Sequence, residues 1–525
     1  MDSFSGFETL GEIVERNVNL HADKDALVYD GRTYTYGEFG TRAYRLANAL
    51  HARGLKRQDR VAILAQNSNA YIETYAAGEV AGFITVAVNY RLAAPEILYI
   101  LRDSAPSVLI FDAEYADLIE GLRAELPDLE RFICIGEECP DWAEAYETVL
   151  AEALPEVPAI RSRPDDVAFI IYTSGTTGRP KGAMLGHKGQ VGFIRSNALE
   201  FAARPTDRLF LVMPFYHIGA KCNQLAYSLV AATIILHRNY DIRAVAETME
   251  KERVTAAHLA PIMVQDLIDL PDLEKYDHSA LGVVQYASGP MAVAPLRRAV
   301  ARYGKIFVQI YGMTETGAGS VLHAHEHLID GTEKQQRRLA SAGKVSSGYK
   351  LKIVRDDGSE CGPEEKGEIL LSGPGVMAGY WNNHPATFAA LEDGWMHTGD
   401  IGFLDADGFL YVIDRKKDMI CSGGENIYPR EVEEVIYAHP AVSEVAVVGM
   451  PDQRWGEAVK AYVVLRDGES ASENDIIEYC RKHIASYKKP KRVEFIDALP
   501  RLPNKKIDKK QLRAADWEGR ERHIN

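Results

Sequence analysis

Short apolar runs alternate with amphipathic stretches over most of the chain. VAILA (61–65), VLIFDA (108–113), AFIIYT (168–173), LFLVMPF (209–215), ATIILH (232–237), GVVQYAS (282–288) and IFVQIYG (306–312) are strand-sized. Strands this continuously apolar are covered on both faces, as in a parallel sheet between helices. Between them the period lengthens. Residues 36–54 set Phe39, Leu46 and Leu50 on one helical stripe, and residues 241–254 (DIRAVAETMEKERV) form a second helical candidate. Strand–helix–strand units follow. Residues 151–165 carry three prolines and predict a connector along the surface.

After about residue 350 the texture changes. KLKIV, GEILLSG and GFLYVIDR are short strand-like runs, and Asp357-Gly358 and Asp407-Gly408 supply hairpin turns. The last hundred residues alternate strands and helices on a small scale, with enough apolar positions for a core of their own. The apolar pattern breaks at DRKKD (414–418), which places a boundary near Asp414–Lys417.

Composition narrows the function. The chain has 525 residues, 46% hydrophobic and 26% charged, which excludes disorder, collagen and coiled coil for most of it. Sixty Lys+Arg against 75 Asp+Glu give a net charge of −15. An acidic body argues against nucleic acid or an anionic membrane as the main partner and leaves a small anionic ligand open. Six cysteines without a CxxC pair predict neither a disulfide scaffold nor a zinc site. The first residues, MDSFSGFETLGEIVERN, carry acids where a signal peptide needs basic residues, and no apolar run approaches the 18 residues or so of a membrane span. The terminal His-Ile-Asn is no peroxisomal address. The expectation is a cytoplasmic protein with no integral membrane span.

The candidate chemistry starts at Tyr172-Thr173-Ser174-Gly175-Thr176-Thr177-Gly178-Arg179-Pro180-Lys181-Gly182. Glycines and hydroxyls directly after a buried strand let backbone N–H groups wrap phosphate oxygens, and Arg179 and Lys181 add charge. Pro180 stands where a Walker A loop needs glycine.

This string resembles the phosphate-binding loop of the adenylate-forming superfamily, which contains acyl-CoA synthetases, firefly-type luciferases and peptide-synthetase adenylation domains. Further motifs resemble the family's in its order: Tyr311-Gly312-Met313-Thr314-Glu315-Thr316-Gly317, Thr398-Gly399-Asp400, Asp414-Arg415-Lys416-Lys417-Asp418, Ser422-Gly423-Gly424-Glu425-Asn426-Ile427, and Leu499-Pro500-Arg501 with Asn504-Lys505-Lys506. The resemblance spans essentially the whole chain. It implies an α/β fold: a large N-terminal domain (1–414) of stacked parallel and mixed sheets with a β-rich subdomain, a hinge (415–417, with Lys417 as the pivot) and a small mobile α+β domain (418–525).

The activity it implies is AMP-forming ligation of a fatty or aryl acid to coenzyme A, with ATP and Mg2+, by a monomer or homodimer. The rival on the same fold is an acyl-AMP-forming or luciferase-type enzyme without the CoA step. By resemblance, Thr173, Ser174, Gly175, Thr176, Thr177, Gly178, Lys181, Gly289, Tyr311, Gly312, Asp400 and Arg415 hold the nucleotide. Tyr311 stacks on adenine, Asp400 and Arg415 take the ribose, Thr314 touches the α-phosphate and Glu315 holds Mg2+. Lys506 bridges the carboxylate and the α-phosphate; Lys505 stands where the family usually has glycine. Ser422, Gly423, Gly424, Trp455, Tyr487 and Lys489 resemble CoA-binding positions, and with no carrier domain in the sequence free CoA is the expected acceptor.

The segment Met213-Pro214-Phe215-Tyr216-His217-Ile218-Gly219-Ala220 matches the one beside the family's acyl pocket. His217 is the candidate neighbour of the carboxylate. Gly219, Ala220, Gly289, Pro290, Gly312 and Ala318 are small and suggest a roomy apolar slot, with Met313 beside it. No Asp stands here to pair an α-amine, which argues against an amino acid. Lys221 reads as a solvent-facing lysine, and the basic run Lys505, Lys506, Lys509, Lys510 as a solvated face around the one functional lysine.

Overall fold

The computed structural model describes residues 6–173, 180–287, 289, 291–415, 418–422, 425–452, 455–484, 486–502 and 506–518. Two large sheets carry most of the chain. The first has eight strands. Its centre is parallel: Val167–Thr173, Ile84–Ala87, Arg60–Leu64, Val108–Asp112, Phe132–Ile135 and Glu144–Ala145. The second has nine strands, with a parallel run from Asp25–Tyr29 through Thr233–Leu236, Arg208–Leu211, Ala256–Leu259 and Val283–Tyr286 to Phe307–Met313. The apolar runs of the sequence become these strands.

Helices fill the space between the sheets. Asn69–Ala81 is buried at every position from Ala70 to Ala81. A helix buried all round is a core helix, which explains why it shows no amphipathic period. One continuous core joins the layers: Val61, Ile63, Phe169 and Ile171 from the first sheet pack in the same cluster as Leu209, Phe210, Ile234 and Val284 from the second. Helix entries carry local signals. Thr9 and Thr35 each close a capping box with Glu12 and Glu38. The connector 151–165 does run along the surface, where Asn48 donates to the carbonyls of Leu154 and Glu156, and Arg161 pairs with Glu15.

Polar groups stitch the layers together. Asn67, 2% exposed, donates from Nδ2 to the carbonyls of Met213 and His237 and accepts at Oδ1 from the N–H of Phe215. Within the core helix, Glu73 pairs with Arg42 at 2.7 Å and accepts from the Tyr146 hydroxyl. Glu79 meets Lys221 at 2.7 Å, both at most 2% exposed. Lys221 is therefore not a solvent-facing lysine. Its ammonium also donates to Gln224 and lies 4.6 Å from the centre of the Tyr75 ring. Burial lowers the Lys221 pKa against the pull of Glu79.

A third, antiparallel sheet of five strands (Lys350–Val354, Gly367–Ser372, Leu391–Glu392, Trp395–Leu404 and Leu410–Arg415) is the β-rich part of the large N-terminal domain. The fourth sheet begins at Ile420–Ser422 and closes the small C-terminal domain with Pro429–Tyr437 and Glu473–His483. Its core cluster (Ile420, Val432, Ile436, Val447, Val463 and Ile476 among others) draws on no residue before 420. The basic run near 509 is not a solvated face throughout: Lys509 pairs with Glu433 at 2.8 Å and Arg513 with Asp418 at 3.0 Å. Burial opposes the Lys509 charge, and Glu433, Asp414 and Asp418 outweigh it and raise its pKa. Among the described residues, no helix is long and apolar enough to cross a membrane.

The Glu79–Lys221 pair sets a stability expectation. Lys221→Met strands a buried carboxylate and is expected to cost about 3–5 kcal/mol in urea unfolding, whereas Glu79→Gln combined with Lys221→Met recovers most of that loss. A single variant as stable as the parent would show that the pair does not hold the layers.

Candidate active site

Both large sheets leave their parallel centre through an antiparallel strand pair, and the end of the first pair meets the turn of the second. In the first sheet Val167–Thr173 pairs with Lys181–Gly186, with Thr173 opposite Lys181. In the second, Phe307–Met313 pairs with Gly317–Leu322. The Thr173 hydroxyl donates to Glu315 Oε1 at 2.9 Å, across 142 positions of sequence. The same oxygen accepts from the Tyr380 hydroxyl at 3.0 Å. Tyr380 lies on the strand Gly379–Tyr380, which extends the first sheet past Lys181–Gly186. Lys181 Nζ sits 5.1 Å from the centre of the Tyr380 ring. Ser174, Gly175, Thr176, Thr177 and Gly178 lie outside the described residues.

The second turn is rigidly built. The N–H of Met313 donates to Thr316 Oγ1, and the Tyr349 hydroxyl donates to the Thr316 carbonyl at 2.9 Å. Gly317 has φ +68°, and a Cβ there would meet Phe193 and the Tyr349 hydroxyl at 2.8 Å. Gly312 is small for a related reason: a Cβ there would stand 1.8 Å from the Gly317 carbonyl oxygen. Its size serves a close backbone approach and gives the slot no room. Thr314 and Met313 are half-buried in this turn, while Ala318 packs against Phe193, Cys222 and Tyr349. Gly289 is exposed with open space beside it; Pro290 is outside the described residues.

Asp400 comes to the same edge from the third sheet. It is 6% exposed and accepts from the Tyr311 hydroxyl at 2.8 Å. Gly399, at φ +68°, turns the strand there, and Asp400 stands opposite Arg415 in the ladder. A carboxylate bonded to a tyrosine hydroxyl at a strand edge can accept from the vicinal hydroxyls of a ribose.

His217 precedes the helix Ile218–Leu229, beyond the end of Arg208–Leu211. Its ring packs on Tyr216 at 4.4 Å between centroids, and Nε2 is buried with no hydrogen-bond partner among the described residues. Burial lowers its pKa to about 3, and the charges of Lys506 and Arg91 push in the same direction. His217 is therefore a neutral imidazole. Lys506 sits on a hairpin where Arg501 pairs with Ile507 and the Leu502 N–H donates to the Lys506 carbonyl. Lys505 lies outside the described residues.

Several of the candidate CoA residues are joined by contacts within the small domain. Ser422 pairs with Gly456, next to Trp455. Asp452 accepts from the Trp455 N–H and pairs with Lys491, which draws the 487–491 segment alongside. Trp455 and Tyr487 are 46% and 49% exposed, so Trp455 is no cap on the small core. Lys489 is half-buried in that segment. Gly423, Gly424 and Lys417 lie outside the described residues.

Sequence reading missed Tyr380, Tyr349 and Arg91. Tyr380 stands in Gly379-Tyr380-Trp381, an aromatic pair after glycine in an otherwise unpatterned loop, and that was the only signal available. Among the described residues no group of three His, Cys, Asp or Glu forms a metal cage. A lone buried carboxylate such as Glu315 fits Mg2+, which binds through one or two carboxylates, waters and substrate phosphates.

This geometry has close counterparts. The family model described as AMP-binding enzyme matches residues 14–381, and that of the AMP-binding enzyme C-terminal domain matches 431–506. A feruloyl-CoA synthase of Amycolatopsis sp is 38% identical over 96% of this chain and 98% of its own. An indoleacetate–CoA ligase of Aromatoleum aromaticum is 37% identical over 96% and 97%. The crystal structure of an anthranilate CoA ligase in complex with anthranoyl-AMP superposes with a TM-score of 0.88 at 28% identity, covering 97% of both chains. The chain belongs to the AMP-binding enzyme family, the adenylate-forming acyl-CoA synthetases.

Proposed function

We propose that the protein joins an aryl or fatty acid to coenzyme A in two steps, with the residues above in the roles their positions suggest. The observation that carries this reading is the Glu315 carboxylate held by the Thr173 and Tyr380 hydroxyls, with Asp400 bonded to Tyr311 on the strand that leads to it. In the first step a carboxylate oxygen attacks the α-phosphorus of ATP and pyrophosphate leaves. Both reactants are anions, so the step needs cations where they meet. Lys506 supplies one, Lys181 and Arg91 add charge nearby, and His217 offers its Nε2 to the carboxylate without repelling Lys506. Glu315 would hold Mg2+, and the ion would supply neutralisation of phosphate charge there. The Thr173 and Tyr380 hydroxyls fix that carboxylate, and Tyr311 with Asp400 fixes the nucleoside.

In the second step the CoA thiolate attacks the acyl carbon and AMP leaves. Trp455, Tyr487 and Lys489 would meet the CoA nucleotide, and Ser422, Gly423 and Gly424 the pantetheine. Lys506 serves the first step and these residues the second, so the two sets take turns at the site. A turn of residues 418–525 about 415–417 against 1–414 exchanges the two. The aryl acids in the names of two relatives support an aryl substrate. A cytoplasmic enzyme acting on small molecules is the setting this chemistry suits.

Lys506→Ala is expected to lose adenylation by about two to three orders of magnitude, the scale of a single stabilising donor in a dry site. Given synthetic acyl-AMP and CoA, the same variant should form thioester at a near-normal rate, and Lys505→Ala should impair neither half-reaction. Loss of both half-reactions in Lys506→Ala would refute the exchange. Asp400→Ala removes a ribose clamp and should lower kcat/KM for ATP by on the order of a hundredfold while circular dichroism stays unchanged; a change below about threefold takes Asp400 out of the site. Trp455→Ala should raise the KM for CoA and leave CoA-independent pyrophosphate release intact, and equal damage to both would assign Trp455 to folding.

A further inference from the structure

The interior beside Gly219 holds buried polar groups as well as apolar ones. Gly219, two residues after His217, has no side chain, and a Cβ there would point at His258 Nε2, 3.6 Å away. His258 is 1% exposed and stands on the strand Ala256–Leu259. That strand lies between Arg208–Leu211, which leads to His217, and Val283–Tyr286. His258 pairs in register with Leu211 on one side and Gln285 on the other, so His258 and Gln285 present their side chains on the same face.

The hydrogen bonds around His258 fix its proton. Asn223 Nδ2 donates to the Gly219 carbonyl at 2.8 Å, which orients the amide, because a carbonyl only accepts. The same nitrogen lies 3.3 Å from His258 Nδ1, so Nδ1 accepts and the neutral ring carries its proton on Nε2. Burial keeps the ring neutral, lowering its pKa to about 4. Nε2–H is thus a buried donor with no partner among the described residues. Asn223 Oδ1 and Gln285 Oε1, at residues 1% and 0% exposed, are buried acceptors equally without one. Gln285 uses its other amide end on the Tyr227 hydroxyl at 3.1 Å. Buried polar groups of this kind are normally satisfied, so one donor and two acceptors together call for a ligand atom that gives and takes.

We propose that the acid carries a hydroxyl at the end remote from its carboxylate, which accepts from His258 Nε2–H and donates to Asn223 Oδ1 or Gln285 Oε1. The arrangement also selects against alternatives. A second carboxylate has no proton for the two carbonyl oxygens, an ammonium has no lone pair for Nε2–H, and an unsubstituted tail leaves all three groups unpaired. The inference rests on the ligase reading, with His217 marking the carboxylate end.

The test compares kcat/KM by pyrophosphate release for matched acids: 4-hydroxyphenylacetate and phenylacetate, 4-hydroxycinnamate and cinnamate, 8-hydroxyoctanoate and octanoate. At least one pair should favour the hydroxylated acid by about tenfold or more, because a site built to bond a hydroxyl discriminates against its absence. His258→Leu should narrow that ratio to within about threefold while still turning over the plain acid. Asn223→Ala, which also frees Nδ1, gives a second narrowing variant if His258→Leu folds poorly. Acid-dependent release with no hydroxyl preference in any wild-type pair overturns the inference and leaves the ligase reading standing. A preference that His258→Leu and Asn223→Ala leave unchanged overturns it as well. No release with any acid removes the ligase reading and this inference with it.

Discussion

Two sheets whose strands interleave along the chain must meet at one point, and Glu315 Oε1 is where they join. From the second sheet it accepts a hydroxyl from Thr173 across the junction and one from Tyr380 on the extended edge of the same first sheet. The turn that carries Glu315 is held by Tyr349 and has no space for a side chain at Gly317. A shift of either sheet would break these bonds before it disturbed the apolar core, which is non-directional and tolerates small slips. The Asn67 bridge to the carbonyls after Arg208–Leu211 and Thr233–Leu236 guards the same junction from the other side. Alignment of the turns is thus a matter of directional polar contacts, and the core supplies the adhesion.

Charge is managed in two ways in this interior. Where a charge is buried for structure it is paired at short range, as with Glu73–Arg42 and Glu79–Lys221. Where a histidine is buried without an ion to pair it is kept neutral, with hydrogen-bonding capacity left unused, as with His217 and His258. The distinction follows from desolvation. A buried ion without a partner is costly, whereas a neutral imidazole holds a donor or acceptor ready at much lower cost.

The fold was legible because strands covered on both faces write themselves as apolar runs: AFIIYT is the strand Val167–Thr173 and VLIFDA the strand Val108–Asp112. The turns that gather at the site were legible too, since glycine at Gly317 and Gly399 answers a backbone requirement that is local. Lys221 was misread because its burial depends on Glu79, a partner far away in sequence that no local period reveals. Lys509 was misread for the same reason, its partner Glu433 being on another helix. Tyr380 and His258 carry no motif, and only the tertiary structure shows what their polar atoms face.

Lys506 does not stand alone on a flexible tail. The segment that carries it is pinned by Arg501 to Glu444 on one side and by Lys509 to Glu433 and Arg513 to Asp418 on the other. The backbone under Lys506 is therefore tied to the small domain. On the exchange proposed above, the moving body would be a domain, subject to drag from the surrounding water, so the viscosity of the medium would act on turnover.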